Sequence, residues 1–172
     1  IQIDDLAEHN ELRVVADCAY MNTGEGLHRF VDPVDKLIYL YSQFQVADSR
    51  RMYACFEQPD LKARFQLMVI APQQWQVVSN SPTPTPQPLT EGKAIWVFEP
   101  TPPISTYITG LVAGDYHVVR SQHAVGGQVV PLGVFCRQSM AEFLDADEIF
   151  DVTRRGFDYF LDKFDYPYPF AK

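Results

Sequence analysis

The spacing of apolar residues changes once along this chain, and that change decides what it can fold into. Up to about residue 140 they come in short runs at every second position. Ala63, Phe65, Leu67, Val69 and Ala71 alternate with Arg64, Gln66, Met68 and Ile70, and Ala94, Trp96 and Phe98 alternate with Ile95, Val97 and Glu99. Period-2 spacing puts the two sets on opposite faces of a strand. Beyond residue 140 the rhythm is three and four: Ala146, Ile149, Phe150, Thr153, Phe157, Phe160, Leu161 and Phe164. That is one stripe of an amphipathic helix. Asp145 can cap its start with Glu148 three residues on, and Tyr166-Pro167-Tyr168-Pro169 stops it. The pattern predicts a mainly β fold: an antiparallel β-sandwich or saddle-like domain over residues 1–140, followed by one C-terminal α-helix within residues 141–172.

Strands are expected over residues 12–20, 27–31, 36–45, 62–71, 75–79, 93–99 and 129–138, with a long β-rich stretch at 105–122. Turn chemistry separates them, as in Asn22-Thr23-Gly24-Glu25-Gly26, Asp32-Pro33 and Gly126-Gly127. Strands joined by such clusters make an antiparallel meander. Gly110 and Gly114 read as bulges or points of close backbone approach. Residues 47–53 lack Gly and Pro and can form one or two helical turns. Both faces of the 62–71 run become apolar at its end, which predicts burial on both sides there. Residues 81–88, with four prolines, read as an exposed extended loop.

Composition excludes several classes. A net charge of −8 with scattered basic residues leaves no cationic face for phosphates, so no nucleic-acid partner is expected. No run approaches the roughly 18 apolar residues of a membrane helix, so no membrane partner is expected either. Cys18, Cys55 and Cys136 are widely spaced, form no CxxC and lie among apolar neighbours. They read as reduced core thiols of a cytoplasmic protein.

Gln43 and Gln45 lie two residues apart at the end of the 36–45 run and share a face. A pair of amides there can offer carbonyl acceptors to a ligand amine. Solvated strand-end glutamines are the structural alternative.

The same stretch carries a resemblance. Gln43-Phe44-Gln45, Cys55-Phe56-Glu57-Gln58-Pro59 and Lys62-Ala63-Arg64-Phe65 resemble the Q-x-[EQ], C-F-D-E-P and K-A-x-F elements of the aminopeptidase N family of zinc metallopeptidases. Thr101-Pro102-Pro103-Ile104-Ser105-Thr106-Tyr107 resembles that family's T-P-P-M-S-T-Y block. The similarity covers nearly the whole chain. It implies the family's N-terminal β domain, without its first strands, and in residues 141–172 the first helix of a thermolysin-like catalytic domain. It also implies that the two motif blocks serve turns and packing.

For function, the resemblance implies a zinc-dependent aminopeptidase that hydrolyses N-terminal residues from peptides. Gln45 matches the position that contacts the substrate α-amine, and Gln43 one near the pocket for the first side chain. The family's zinc helix, HExxH, and its GxMEN loop do not occur in the sequence. None of His9, His28, His117 and His123 has the spacing of that motif. The catalytic centre is therefore expected after residue 172, with zinc bound by the parent and none by this chain. The expected partners are a peptide substrate, the remaining catalytic and helical domains, and possible self-association through cut sheet edges. The alternative reading is a non-enzymatic β-sandwich that binds a peptide or saccharide through its aromatic strands. An epoxide-hydrolase branch of the same family is a third.

Overall fold

The computed structural model describes residues 3–171. Among the described residues, nine strands and one long helix follow in order: β1 (Gly26–Val31), β2 (Ile38–Gln43), β3 (Met68–Pro72), β4 (Gln76–Ser79), β5 (Gln87–Pro88), β6 (Lys93–Val97), β7 (Leu111–Gly114), β8 (His117–Val125), β9 (Gln128–Cys136) and α1 (Ala146–Phe164). All ladders between named strands are antiparallel. A four-stranded sheet has the order β1-β2-β7-β4, a three-stranded sheet β3-β6-β5, and β8-β9 form a hairpin. The fold is thus mainly antiparallel β with one C-terminal helix.

Alternation explains the core. Leu40, Ala71, Val77, Ala94, Trp96, Phe98, Leu111 and Ala113 form one buried cluster. These residues come from both larger sheets, so the two share a single core. Burying such side chains stabilises by about 1.5–3 kcal/mol each. Gly114 lets β2 and β7 approach: a Cβ there would lie 2.5 Å from the Ile38 carbonyl oxygen.

A polar clasp ties the β1–β2 turn to the segment after β9. Asp32, 1% exposed, accepts from Arg137 Nη1 at 2.7 Å, Ser139 Oγ at 2.7 Å and the Val34 N–H at 2.7 Å. Asp35 accepts from the Tyr39 hydroxyl at 2.7 Å and the Ser139 N–H at 3.0 Å. Burial raises the pKa of both carboxyls, but these donors outweigh it and hold each below the ordinary aspartate value. Burial and the Asp35 carboxylate push the Tyr39 phenol up to about 12.

Helix α1 starts where its cap predicts, with the Glu148 N–H donating to the Asp145 carboxylate at 3.1 Å. Its inner side meets the hairpin through His123 Nε2 and Asp158 Oδ1 at 2.7 Å, and through Arg154 and Ser121. Phe150 is its buried residue, whereas Val152, Phe160 and Phe164 are exposed.

Several expectations need correction. Residues 12–20 form no strand and are exposed; their alternation fits a strand, but no sheet edge pairs with them among the described residues. Cys18 in that segment is exposed rather than core, while Cys55 and Cys136 are half-buried; all three thiols are free. The strand expected at 36–45 ends at Gln43, and Gln45 lies in the following turn. The helical turns expected at 47–53 shrink to a 3-10 turn, Ser49–Arg51. Of the 62–71 run, residues 68–71 lie in β3, an edge strand, and Ala63 makes an isolated bridge to Ile104. Met68 and Ile70 are exposed there, not buried. An apolar face is covered only where another layer lies over it. Gln87–Pro88, at the end of the proline loop, does pair with β6.

Candidate functional site

Gln43, Phe44 and Gln45 form the turn out of β2, and alternation sorts them. Phe44 is 2% exposed while both glutamines are exposed. The Phe44 ring meets Tyr53 edge-on at 6.1 Å, and Tyr53 meets Phe65 at 6.0 Å. These rings, with Met52, Leu67 and Leu111, line an apolar cavity of about 440 Å³. The buried Phe44 fixes the turn and leaves the amides on either side at the surface.

The two amides are coupled locally. The Gln45 N–H donates to Gln43 Oε1 at 3.1 Å, which fixes the Gln43 side chain over the turn. The oxygen keeps a second lone pair. The Gln45 carboxamide has no hydrogen-bond partner among the described residues. Opposite Gln43 in the ladder stands Gly26, so no side chain covers it from β1. Gly26 has φ +64°, and a Cβ there would come within 3.0 Å of Arg51. Arg51 is held by Asp48 at 2.6 Å and Glu25 at 3.6 Å. Its charge is matched and gives a substrate carboxylate little to bind. Arg50 sits beside it and is exposed, its N–H bound to Glu57 at 2.7 Å.

Glu57 is the centre of a structural knot. It accepts from the Arg50 N–H and, at 3.2 Å, from the Thr106 hydroxyl. Thr109 Oγ1 lies 2.7 Å from the Tyr53 hydroxyl, and Ser105 donates to the Pro59 carbonyl. Ala63 and Ile104 exchange backbone hydrogen bonds at 3.1 and 3.0 Å. Thr101, Ser105 and Thr106 are buried. The two motif blocks therefore bind each other and serve packing and turn geometry. Burial and the Glu57 charge raise the Cys55 thiol above its ordinary pKa, so Cys55 is a poor nucleophile. Glu57 as the hub was not evident from spacing, because its partner Thr106 lies 49 residues away.

No group of three or more His, Cys, Asp or Glu side chains that could hold a metal occurs among the described residues. His28 accepts from the Gly24 N–H at 2.9 Å and stacks on Tyr41. His123 faces Asp158. These residues do not fit a zinc site. No helix among the described residues is long and apolar enough to cross a membrane.

The family model for the peptidase M1 N-terminal domain matches residues 8–108. The chain belongs to that family. It is 63% identical over 167 residues to aminopeptidase N of Streptomyces lividans, which covers 97% of this chain and 19% of that protein. It is 38% identical over 103 residues to an aminopeptidase N of Acetobacter pasteurianus, covering 60% of this chain and 28% of that protein. It is 30% identical over 135 residues to human aminopeptidase N, covering 76% of this chain and 14% of that protein. The chain thus spans less than a third of each of these relatives. The aminopeptidase N N-terminal domain expected from the two motif blocks is what the chain contains.

Proposed function

We propose that this chain is the amine-recognition part of a zinc-dependent aminopeptidase that removes N-terminal residues from peptides in the cytoplasm. Gln45 anchors the substrate α-amine, and Gln43 shapes the pocket for the first side chain. The catalytic centre, its zinc ligands and its water-activating carboxylate belong to the rest of the parent protein. Residues 1–140 form the substrate-facing β domain, and α1 begins the catalytic domain. The chain alone neither hydrolyses peptides nor retains zinc.

The observation that carries this reading is the pair of exposed amides flanking the buried Phe44. An ammonium is three donors with no acceptor, and a carboxamide oxygen is a matching acceptor. A hydrogen bond to a charged group contributes about 1.5–3 kcal/mol. A clamp of acceptors fits a chain end, whereas an internal peptide N–H offers a single neutral donor. Glutamine supplies direction without a full charge, so ion pairing with the ammonium is absent.

The test is kinetic and uses the full-length parent. Gln45→Ala is expected to lower kcat/KM for aminoacyl substrates roughly 10- to 100-fold, mainly through KM. An unchanged kcat/KM removes Gln45 from the site.

A further inference from the structure

Past α1 the chain turns back onto the β layer. Asp165 ends the helix in the left-handed region at φ +48°, its N–H donating to the Leu161 carbonyl at 2.9 Å. Tyr166-Pro167-Tyr168-Pro169 follows. Each proline fixes its own φ and disfavours the helical region for the tyrosine before it. The four residues therefore make a stiff, extended strap. Tyr168 is half-buried, whereas Tyr166, Pro167, Pro169 and Phe170 are exposed.

The β8–β9 turn seats this strap. Gln128, the first residue of β9, donates its side-chain N–H to the Tyr168 carbonyl. The Tyr168 ring meets Phe157 of α1 edge-on at 5.1 Å and Phe170 at 5.5 Å. Pro167 crosses the turn so closely that a Cβ on Gly126 would stand 3.4 Å from it. From there the strap reaches the end of β2. Tyr168 and Phe170 line a hollow of about 530 Å³ together with Ser42, Asn80, Ile108 and Leu111. The wall on the sheet side is braced. The Leu111 N–H donates to Ser42 Oγ at 2.7 Å, and Asn80 bonds the Ile108 carbonyl at 2.9 Å and the Gly110 N–H at 2.8 Å. Ser42 precedes Gln43, whose Oε1 holds the Gln45 N–H. Helix, hairpin and the amide-bearing turn thus meet at Tyr168.

We propose that the strap sets the spacing between the amine site at Gln43 and Gln45 and the catalytic part of the parent, with Tyr168 as its positioning residue and Gln128 as its seat. This rests on the amine-anchoring reading of Gln45, in which the reacting centre belongs to the rest of the parent. An enzyme that removes one residue must hold the scissile carbonyl a single residue away from the bound amine. Anchor and reacting centre then lie on different parts of the chain. A misplacement of about 1 Å between them costs about 100-fold in rate. His123 with Asp158 and Arg154 with Ser121 tie α1 to the hairpin, but the strap is what reaches the β2 end. A loosened strap leaves the amine bound and presents the carbonyl off its attack position. It lowers kcat and spares KM.

The experiment measures kcat and KM of the full-length parent for Ala-Ala-Ala in a double-mutant cycle between Tyr168 and Gln45. Tyr168→Ala is expected to lower kcat roughly 10- to 100-fold with KM within about 2-fold. Tyr168→Phe keeps the ring and retains the wild-type kcat. Gln128→Ala removes only the seat and lowers kcat roughly 3- to 10-fold, again sparing KM, should Tyr168→Ala fold poorly. In the Gln45→Ala background the amine is no longer held, so either substitution costs no more than about 2-fold. Damage to folding instead removes the same fraction of activity in both backgrounds. Equal losses in both backgrounds, or an unchanged kcat in Tyr168→Ala and Gln128→Ala, overturn the strap, and a raised KM in Gln45→Ala then shows that the anchor stands. If Gln45→Ala alone leaves kcat/KM unchanged, the anchor is wrong and the spacing role falls with it.

Discussion

Two parts of one motif stretch, residues 43–45 and 53–59, are built in opposite ways. Around Glu57 the polar groups face one another: Arg50 and Thr106 donate to Glu57, Tyr53 pairs with Thr109, and Ser105 donates to the Pro59 carbonyl. At Gln43 and Gln45 the amides are exposed, and the Gln45 carboxamide has no partner among the described residues. The first part is satisfied within the fold and holds two blocks in register. The second is held only through its backbone and Phe44, and presents its acceptors outward. Resemblance to a family motif does not say which of its residues bind a ligand. The hydrogen-bond partners show which of them are satisfied within the fold.

This comparison can be broken by mutation. The largest expected effect is at Phe44, which both parts need. Phe44→Ala should cost about 3–5 kcal/mol, lowering Tm by roughly 10 °C for a chain of this size. A loss under a degree would show that the turn is fixed by something else.

The next effect is the response to acid at the Asp32–Arg137 clasp, another fully partnered site. The pKa values of Asp32 and Asp35 are lowered by folding, so the folded state binds fewer protons than the unfolded one. Their contribution is present above the unfolded pKa and is lost as pH falls through the folded pKa. Tm should therefore drop as pH falls below about 4, the ordinary carboxylate range. In Asp32→Asn, Tm should be lower at neutral pH by several degrees and depend less on acid. A variant with the wild-type acid profile would contradict the clasp.

Glu57→Ala should cost about 1.5–3 kcal/mol, the range for hydrogen bonds to a charged group, read as a fall in chemical-denaturation midpoint. Thr109→Val, which removes a neutral partner of Tyr53, should cost about 1 kcal/mol. Gln45→Ala should fall within about 0.5 kcal/mol of wild type, as surface substitutions do. A Gln45→Ala loss as large as that of Glu57→Ala would make the amide pair structural and erase the contrast.

Much of this fold could be read from alternation and turn chemistry. The Ala94, Trp96 and Phe98 face is buried as its spacing requires, and Asp145 caps α1. What alternation cannot convey is whether a partner is present. Residues 12–20 have a strand pattern and no ladder, and Met68 and Ile70 have an apolar face without a layer over it. At the site, spacing placed Gln43 and Gln45 on one face of a strand, but Gln45 lies in the turn beyond β2, so alternation does not govern it. The Glu57 knot and the His28–Tyr41 stack were not. Each joins residues that lie far apart in sequence or on neighbouring strands, so it depends on register and loop path.

The central claim, that Gln45 recognises a free chain end, is most directly tested by inhibition of the full-length parent with a dipeptide and its N-acetyl form. The ratio of the two inhibition constants isolates the amine from the rest of the ligand. Wild type should favour the free amine, and Gln45→Ala should shrink that preference by about tenfold or more while leaving the acetylated form unchanged. An unaltered ratio, or equal weakening of both ligands, would contradict the account.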